Sequence, residues 1–115
     1  MSSGLKIHKR CKKWDIKNHA SVRYKERVSD TRRNIDRRDI ERTIRRALSE
    51  LNDEDIIRQN RSTFYRVYFT LNEKRLGPFY LVADSYEESR IKTLLGEEEY
   101  FNTIAKLTNG NHNPS

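Results

Sequence analysis

The sequence has a single cysteine, Cys11, which excludes an internal disulfide framework and any cysteine-based zinc cluster. It has no run of 18 apolar residues, so no membrane-spanning helix is expected. The opening MSSGLKIHKR is basic but lacks an apolar stretch, so no secretory signal is expected either, and a soluble cytoplasmic domain is the expectation. There is no HExxH, no paired Asp, no Gly-rich phosphate loop and no GxSxG. Metalloprotease, nucleotide-hydrolase and serine-hydrolase readings therefore find no support, and neither a metal nor a cofactor is expected. Apolar residues are scarce too, at 34% against 36% charged.

What is present is still enough for a small core. The 115 residues include six Tyr, four Phe and one Trp, clustered together with Ile, Leu and Val, which suits one compact domain. Residues 1–15 read as a basic arm, 16–107 as the domain and 108–115 (TNGNHNPS) as a disordered tail. Charge is uneven along the chain. Residues 1–48 carry 16 Lys and Arg against 6 Asp and Glu, a balance of +10, while the remainder stands at −3. A strongly cationic half attracts polyanions, because neutralised phosphates release their condensed counterions. A membrane surface fits less well, since the basic stretches lack a broad apolar face.

The periodicity gives an α+β order. Asn18 reads as an N-cap and residues 19–28 as a helix with Ala20, Tyr24 and Val28 as its buried stripe. After a polar turn at 29–34, Asp36 caps a second helix over 37–51, with Ile40, Ile44, Ala47, Leu48 and Leu51 on one face. Beyond Asn52 the period falls from 3.6 to 2. Residues 55–59, 63–71 and 79–83 read as strands, the last apolar on both faces and therefore central. On 63–71, Thr63, Tyr65, Val67, Phe69 and Leu71 share one side and Phe64, Arg66 and Tyr68 the other. Gly77 and Pro78 mark the hairpin connection over 72–78. Residues 90–95 read as a further strand or the start of a helix, and 97–107 as a last helix burying Tyr100, Phe101, Ile104 and Leu107. The expected architecture is two N-terminal helices on a three- to four-stranded antiparallel sheet, plus a C-terminal helix. A short strand within residues 5–16 is a further expectation.

On the first helix, His19, Arg23, Glu26 and Arg27 fall on one polar face about 100° wide, apart from the apolar stripe. An imidazole, a carboxylate and two guanidiniums within mutual reach are the groups that phosphodiester cleavage by internal 2′-hydroxyl attack uses. One takes the hydroxyl proton, one protonates the leaving oxygen, and the cations hold the phosphorane charge. The same spacing also describes a solvated face whose arginines and Glu26 simply form local ion pairs. Lys9, Arg10, Lys12, Lys13 and Lys17 are candidate nucleic-acid contacts, and Trp14 among them suits a nucleobase or partner surface or, equally, caps the core. Tyr65, Tyr68, Tyr80 and Tyr86 are either stacking platforms for bases or members of the core.

The segment NHASVRYKERV followed by IDRRDIERTIRRAL resembles the HAxxR…R-I-x-x-x-D-I-x-x-x-I opening of a family of small prokaryotic and phage domains related to the RelE and BrnT toxins. The resemblance spans about residues 16–95, and the His-Ala start is also similar to a segment of colicin-type transfer-RNA nucleases. It implies metal-independent ribonuclease activity on a helix-plus-sheet scaffold, with His19, Arg23 and Arg27 matching the motif and Arg66 and Lys92 as cleft cations. The basic arm and the helix after Gly96 depart from the family pattern, and RelE proteins themselves share no histidine here. Two readings follow. One is a metal-independent, toxin-type endoribonuclease acting through His19, Arg23, Arg27, Arg66 and Lys92, with RNA and an acidic antitoxin as partners. The other is a non-catalytic binding protein, of phage or prokaryotic type, whose basic half grips nucleic acid or an acidic host protein.

Overall fold

A computed structural model describes residues 14–28, 35–59 and 61–111, without the side chains of 108–111. In chain order these form β1 (Asp15–Ile16), α1 (Asn18–Arg27), α2 (Arg37–Ser49), a 3₁₀ turn (Asp53–Asp55), β2 (Ile56–Gln59), β3 (Ser62–Leu71), β4 (Lys74–Asp84), β5 (Arg90–Leu95) and α3 (Glu97–Asn111). Among the described residues the architecture is α+β, three helices on one five-stranded mixed sheet ordered β1-β5-β4-β3-β2. The expected antiparallel sheet of three to four strands is corrected in one respect. The short strand expected within residues 5–16 is present as the two-residue β1, which joins the far edge parallel to β5 with Asp15 opposite Arg90 and makes the sheet five-stranded and mixed.

Two apolar layers flank the sheet. Ala20 and Tyr24 of α1 and Ile40, Ile44, Ala47 and Leu48 of α2 bury against Tyr65, Val67, Phe69, Leu81, Ile91 and Leu94. The amphipathic period of α2 thus translates directly into its packing: the Ile40, Ile44 and Leu48 side chains are wholly enclosed. Its N-cap is Asp36, whose carboxylate accepts from the Arg38 amide at 3.2 Å. The cap of α1 is Lys17 and not Asn18, which forms the first helical residue. On the opposite sheet face, Phe64, Tyr80 and Val82 pack under Tyr100 of α3, with Ile104 and Leu107 alongside. The Tyr80 and Tyr100 rings lie parallel, 3.7 Å apart. Phe101, expected inside, is 56% exposed, one step around the helix from the buried row. The helix also runs to Asn111, past the expected start of the tail at 108.

The β3–β4 hairpin turns at Asn72–Glu73, both at positive φ (51° and 65°), which supplies the twist of a two-residue hairpin without glycine. Gly77 and Pro78, expected in that turn, instead lie inside β4, where the pairing slips between Val67 and Phe69. Gly77 has φ +135°, and a Cβ there would stand 2.9 Å from Tyr68 Cδ2 and 3.0 Å from the Val67 carbonyl oxygen. The β4–β5 connection is fastened by Glu88. Its carboxylate accepts a bidentate pair from Arg58 (2.7 and 2.9 Å) and the buried Thr63 hydroxyl (2.6 Å), and its carbonyl accepts the Tyr65 hydroxyl at 2.7 Å. No helix among the described residues is long and apolar enough to cross a membrane. The expected turn at 29–34 and strand contribution from 5–13 lie outside the described residues.

Candidate nucleic-acid interface

The α1 face predicted from spacing exists, but it faces another helix. Arg27 donates through Nε and Nη2 to the two Glu99 carboxylate oxygens at 2.8 and 2.9 Å, bridging α1 to the first turn of α3. Arg23 lies 3.6 Å from Glu26 and 4.0 Å from Glu99. Glu99 also accepts the Gly96 amide at 3.0 Å, reaching back as a residue at the third helical position does in a capping box. The Arg27 hydrogen bonds, aided by the Gly96 amide and the nearby guanidinium charges, hold the Glu99 carboxyl down at about 2 against the opposing effect of burial. A phosphate would have to displace that carboxylate to use the Arg27 fork. His19 stands exposed in the first turn of α1 with no hydrogen-bonding or ionic partner among the described residues.

Arg66, another of the expected catalytic cations, does not join His19 on that face. Arg66 alternates with the core-facing Tyr65 and Val67, so it projects from the sheet face opposite α1, beside Tyr80 in the register. There it donates to the Glu54 carbonyl at 2.6 Å and lies 3.3 Å from Asp55 Oδ1. Its charge is felt at Tyr80 and Tyr100, where it partly offsets the upward push of burial on both hydroxyls. Lys92 is exposed on β5 at the bulge between the Thr93 and Ile91 pairings.

Of the candidate binding residues, Lys9, Arg10, Lys12 and Lys13 lie outside the described residues. Lys17 is exposed and 3.0 Å from Asp15. Trp14 is corrected: it is 5% exposed and meets the Tyr65 ring edge-on at 5.7 Å, so it anchors β1 to the core and offers no platform to a base. Among the tyrosines, Tyr65 and Tyr80 are core, while Tyr68 and Tyr86 are exposed.

A different cationic surface lies on α2 and the neighbouring strand edge. Because Ile40, Ile44, Ala47 and Leu48 turn inward, Arg38, Arg42, Arg45 and Arg46 fall on one outer stripe of the helix, all exposed. Glu41 engages Arg37 at 2.9 Å and Arg45 at 3.6 Å, and Asp39 lies 3.4 Å from Arg42. Arg38 and Arg46 have no carboxylate within ion-pair distance among the described residues. Between α2 and β3 runs a groove of about 560 Å³, lined by Arg42, Arg46, Tyr68 and Thr70 among others. It continues past Glu50 into a second hollow of about 350 Å³ that includes Arg66 and Arg75. The Arg75 guanidinium lies over the Tyr68 ring, 4.1 Å from its centre. The i, i+4, i+7, i+8 spacing of Arg38, Arg42, Arg45 and Arg46 was the signal for this stripe. Its juxtaposition with Tyr68 and Arg75 depends on tertiary packing. Among the described residues, no cluster of His, Cys, Asp and Glu fit to hold a metal occurs.

Compared with protein-family models, curated proteins and solved structures, the chain finds no match.

Proposed function

We propose that this protein binds RNA as a non-catalytic module, through the arginine stripe of α2 and the adjoining Tyr68–Arg75 rim. The observation that carries this reading is the stripe itself. Four exposed arginines stand along about 12 Å of one helix face, two of them free of carboxylates among the described residues. Guanidiniums spaced in this way suit successive backbone phosphates, each of which they can grip with a planar fork. The Tyr68 ring beside them suits an unpaired base. The resemblance of residues 16–95 to RelE- and BrnT-type domains favours RNA over DNA as the polyanion.

Binding is favoured over cleavage because the forks that a cleavage site would use are engaged. Arg27 is chelated by Glu99, and Arg66 is held by Asp55 and the Glu54 carbonyl on the other side of the sheet from α1. The test is to incubate wild type, His19→Ala and Arg42→Glu/Arg46→Glu with a labelled single-stranded RNA in chelator, scoring bound and cut fractions. The expected result is intact RNA in all three, with binding retained by His19→Ala and lost from the double variant. Cleavage by wild type that disappears in His19→Ala would overturn the proposal in favour of a toxin-type ribonuclease.

A further inference from the structure

The groove beside α2 and the hollow beyond it share one stretch of lining, for Ala47, Glu50, Tyr68 and Thr70 border both. Three carboxylates, Asp39, Glu50 and Asp55, line the two spaces, and two of them are engaged. Asp39 lies 3.4 Å from Arg42, while Asp55 lies 3.3 Å from Arg66 and accepts the Asn52 amide at 3.1 Å. Glu50 differs. It is exposed, and its carboxylate has no hydrogen-bonding or ionic partner among the described residues. It also stands where an anion is disfavoured: Glu50 is the C-cap of α2, at the negative end of the helix dipole. Local rules broken without a compensating contact are expected at functional sites.

What Glu50 can take from RNA follows from its chemistry. An ionised carboxylate only accepts hydrogen bonds, through two oxygens set side by side. It repels a phosphate, which leaves the RNA backbone to the arginines of the stripe and a base edge to Glu50. Guanine alone among the four bases offers two adjacent donors on its Watson–Crick edge, N1–H and N2–H. Adenine and cytosine each set an acceptor beside the amino group, and uracil flanks its one N–H with two carbonyls. A carboxylate therefore meets guanine with two parallel hydrogen bonds and every other base with an acceptor facing one of its oxygens. That edge is free only in an unpaired base, which a protein holds by stacking it on an aromatic ring or a guanidinium plane. Such a support is at hand, since Tyr68 borders the same space with the Arg75 guanidinium 4.1 Å from its ring centre.

From this we infer that Glu50 is the base-reading residue of the α2 groove and selects an unpaired guanine in the bound RNA. The guanine rests against the Tyr68–Arg75 pair and donates N1–H and N2–H to the two Glu50 oxygens. The inference rests on the RNA-binding role proposed for α2 and adds a preference that phosphate contacts cannot supply, because they carry no sequence information. An arginine fork on O6 and N7 is the other common way to read guanine, and it uses a different edge of the base. Base analogues separate the two.

The test uses the full chain and labelled single-stranded uridine oligonucleotides carrying one central guanosine, adenosine, cytidine, inosine or 7-deazaguanosine, with an all-uridine control. Binding is read by anisotropy at one salt concentration. Inosine lacks the N2 amino group, whereas 7-deazaguanosine keeps the Watson–Crick edge and loses N7. The expected result is binding of the guanosine oligonucleotide about tenfold or more tighter than of the adenosine, cytidine and all-uridine ones. The 7-deazaguanosine version should match guanosine, and inosine should lose most of the gain. Glu50→Gln should erase the preference while keeping the wild-type far-ultraviolet spectrum. Equal binding of every oligonucleotide by wild type would overturn the inference, and its weakening by Arg42→Glu/Arg46→Glu would leave the RNA-binding role of α2 standing. Binding of none would overturn both. A preference that survives Glu50→Gln, that inosine retains in full or that 7-deazaguanosine loses would assign the reading to another group or another edge, and each of these also overturns the inference.

Discussion

Replacing Gly77 by alanine probes the join between the fold and the groove. Two costs add at this position. The backbone φ of +135° lies where an L-residue is strained, at about 1–3 kcal/mol. The new methyl also meets Tyr68 Cδ2 at 2.9 Å, the Val67 carbonyl oxygen at 3.0 Å and the Phe79 amide nitrogen at 3.3 Å. The ring can swing away, but the two backbone atoms belong to paired strands, so part of the clash persists as overpacking of about 1 kcal/mol or more. The expected loss is about 2–4 kcal/mol, a large share of the roughly 5–15 kcal/mol that holds a domain together. In a domain of this size it should lower the melting temperature by about 10 °C or more. Urea unfolding of wild type, Gly77→Ala, Tyr68→Ala and the double variant separates the two costs. The double variant should recover the ring component and keep the backbone component, giving a coupling of about 0.5 kcal/mol or more. Stability of Gly77→Ala within 0.5 kcal/mol of wild type would refute the reasoning, since neither the strain nor the contact could then be present.

Two further outcomes are expected from contacts that join distant parts of the chain. Glu99 ionises at about 2 when folded, below its ordinary 4.5, so it adds stability above pH 4.5 that is lost as the pH falls toward 2. The stability gap between wild type and Glu99→Gln, read by urea titration, should therefore be full at pH 7, smaller at pH 3 and gone below pH 2; a gap independent of pH would contradict the Arg27–Glu99 bridge. Removing the Glu88 carboxylate by Glu88→Ala leaves the fully buried Thr63 hydroxyl without that acceptor, at a cost of about 1–3 kcal/mol. Chemical denaturation should find Thr63→Val partly compensating in that background, and equal losses in both backgrounds would show that the hydrogen bond carries no weight.

Much of this fold was legible because the relevant physics is local. In α2 the apolar spacing alone selects Ile40, Ile44, Ala47 and Leu48 for burial, and a single Asp sets its start. The alternation of β3 likewise separates the core-facing Tyr65, Val67 and Phe69 from Phe64 and Arg66. What was not legible depends on partners far along the chain. Gly77–Pro78 looks like a turn in sequence, yet Asn72 and Glu73 take the left-handed positions and Gly77 makes room for the Tyr68 ring within the strand. Trp14 among lysines reads equally as a base contact or a core cap, and only its packing against Tyr65 decides between them. The candidate site divides in the same way. The polar face of α1 follows from helical spacing, whereas its occupation by Glu99, 72 residues away, does not. The arginines of α2 carry a helical spacing that the reading of the sequence passed over, and their place beside Tyr68 and Arg75 appears only in the packed fold.

The central claim, that the outer arginines of α2 grip RNA phosphates, is tested most directly by the salt dependence of binding. Each phosphate neutralised on a single strand contributes about 0.7 to the slope of log affinity against log salt. Anisotropy titrations of one labelled single-stranded RNA over a range of salt concentrations, with wild type and Arg42→Glu/Arg46→Glu, give the two slopes. The account predicts a steep slope for wild type and one shallower by about 1.4 or more for the double variant. Equal slopes for the two proteins would contradict it.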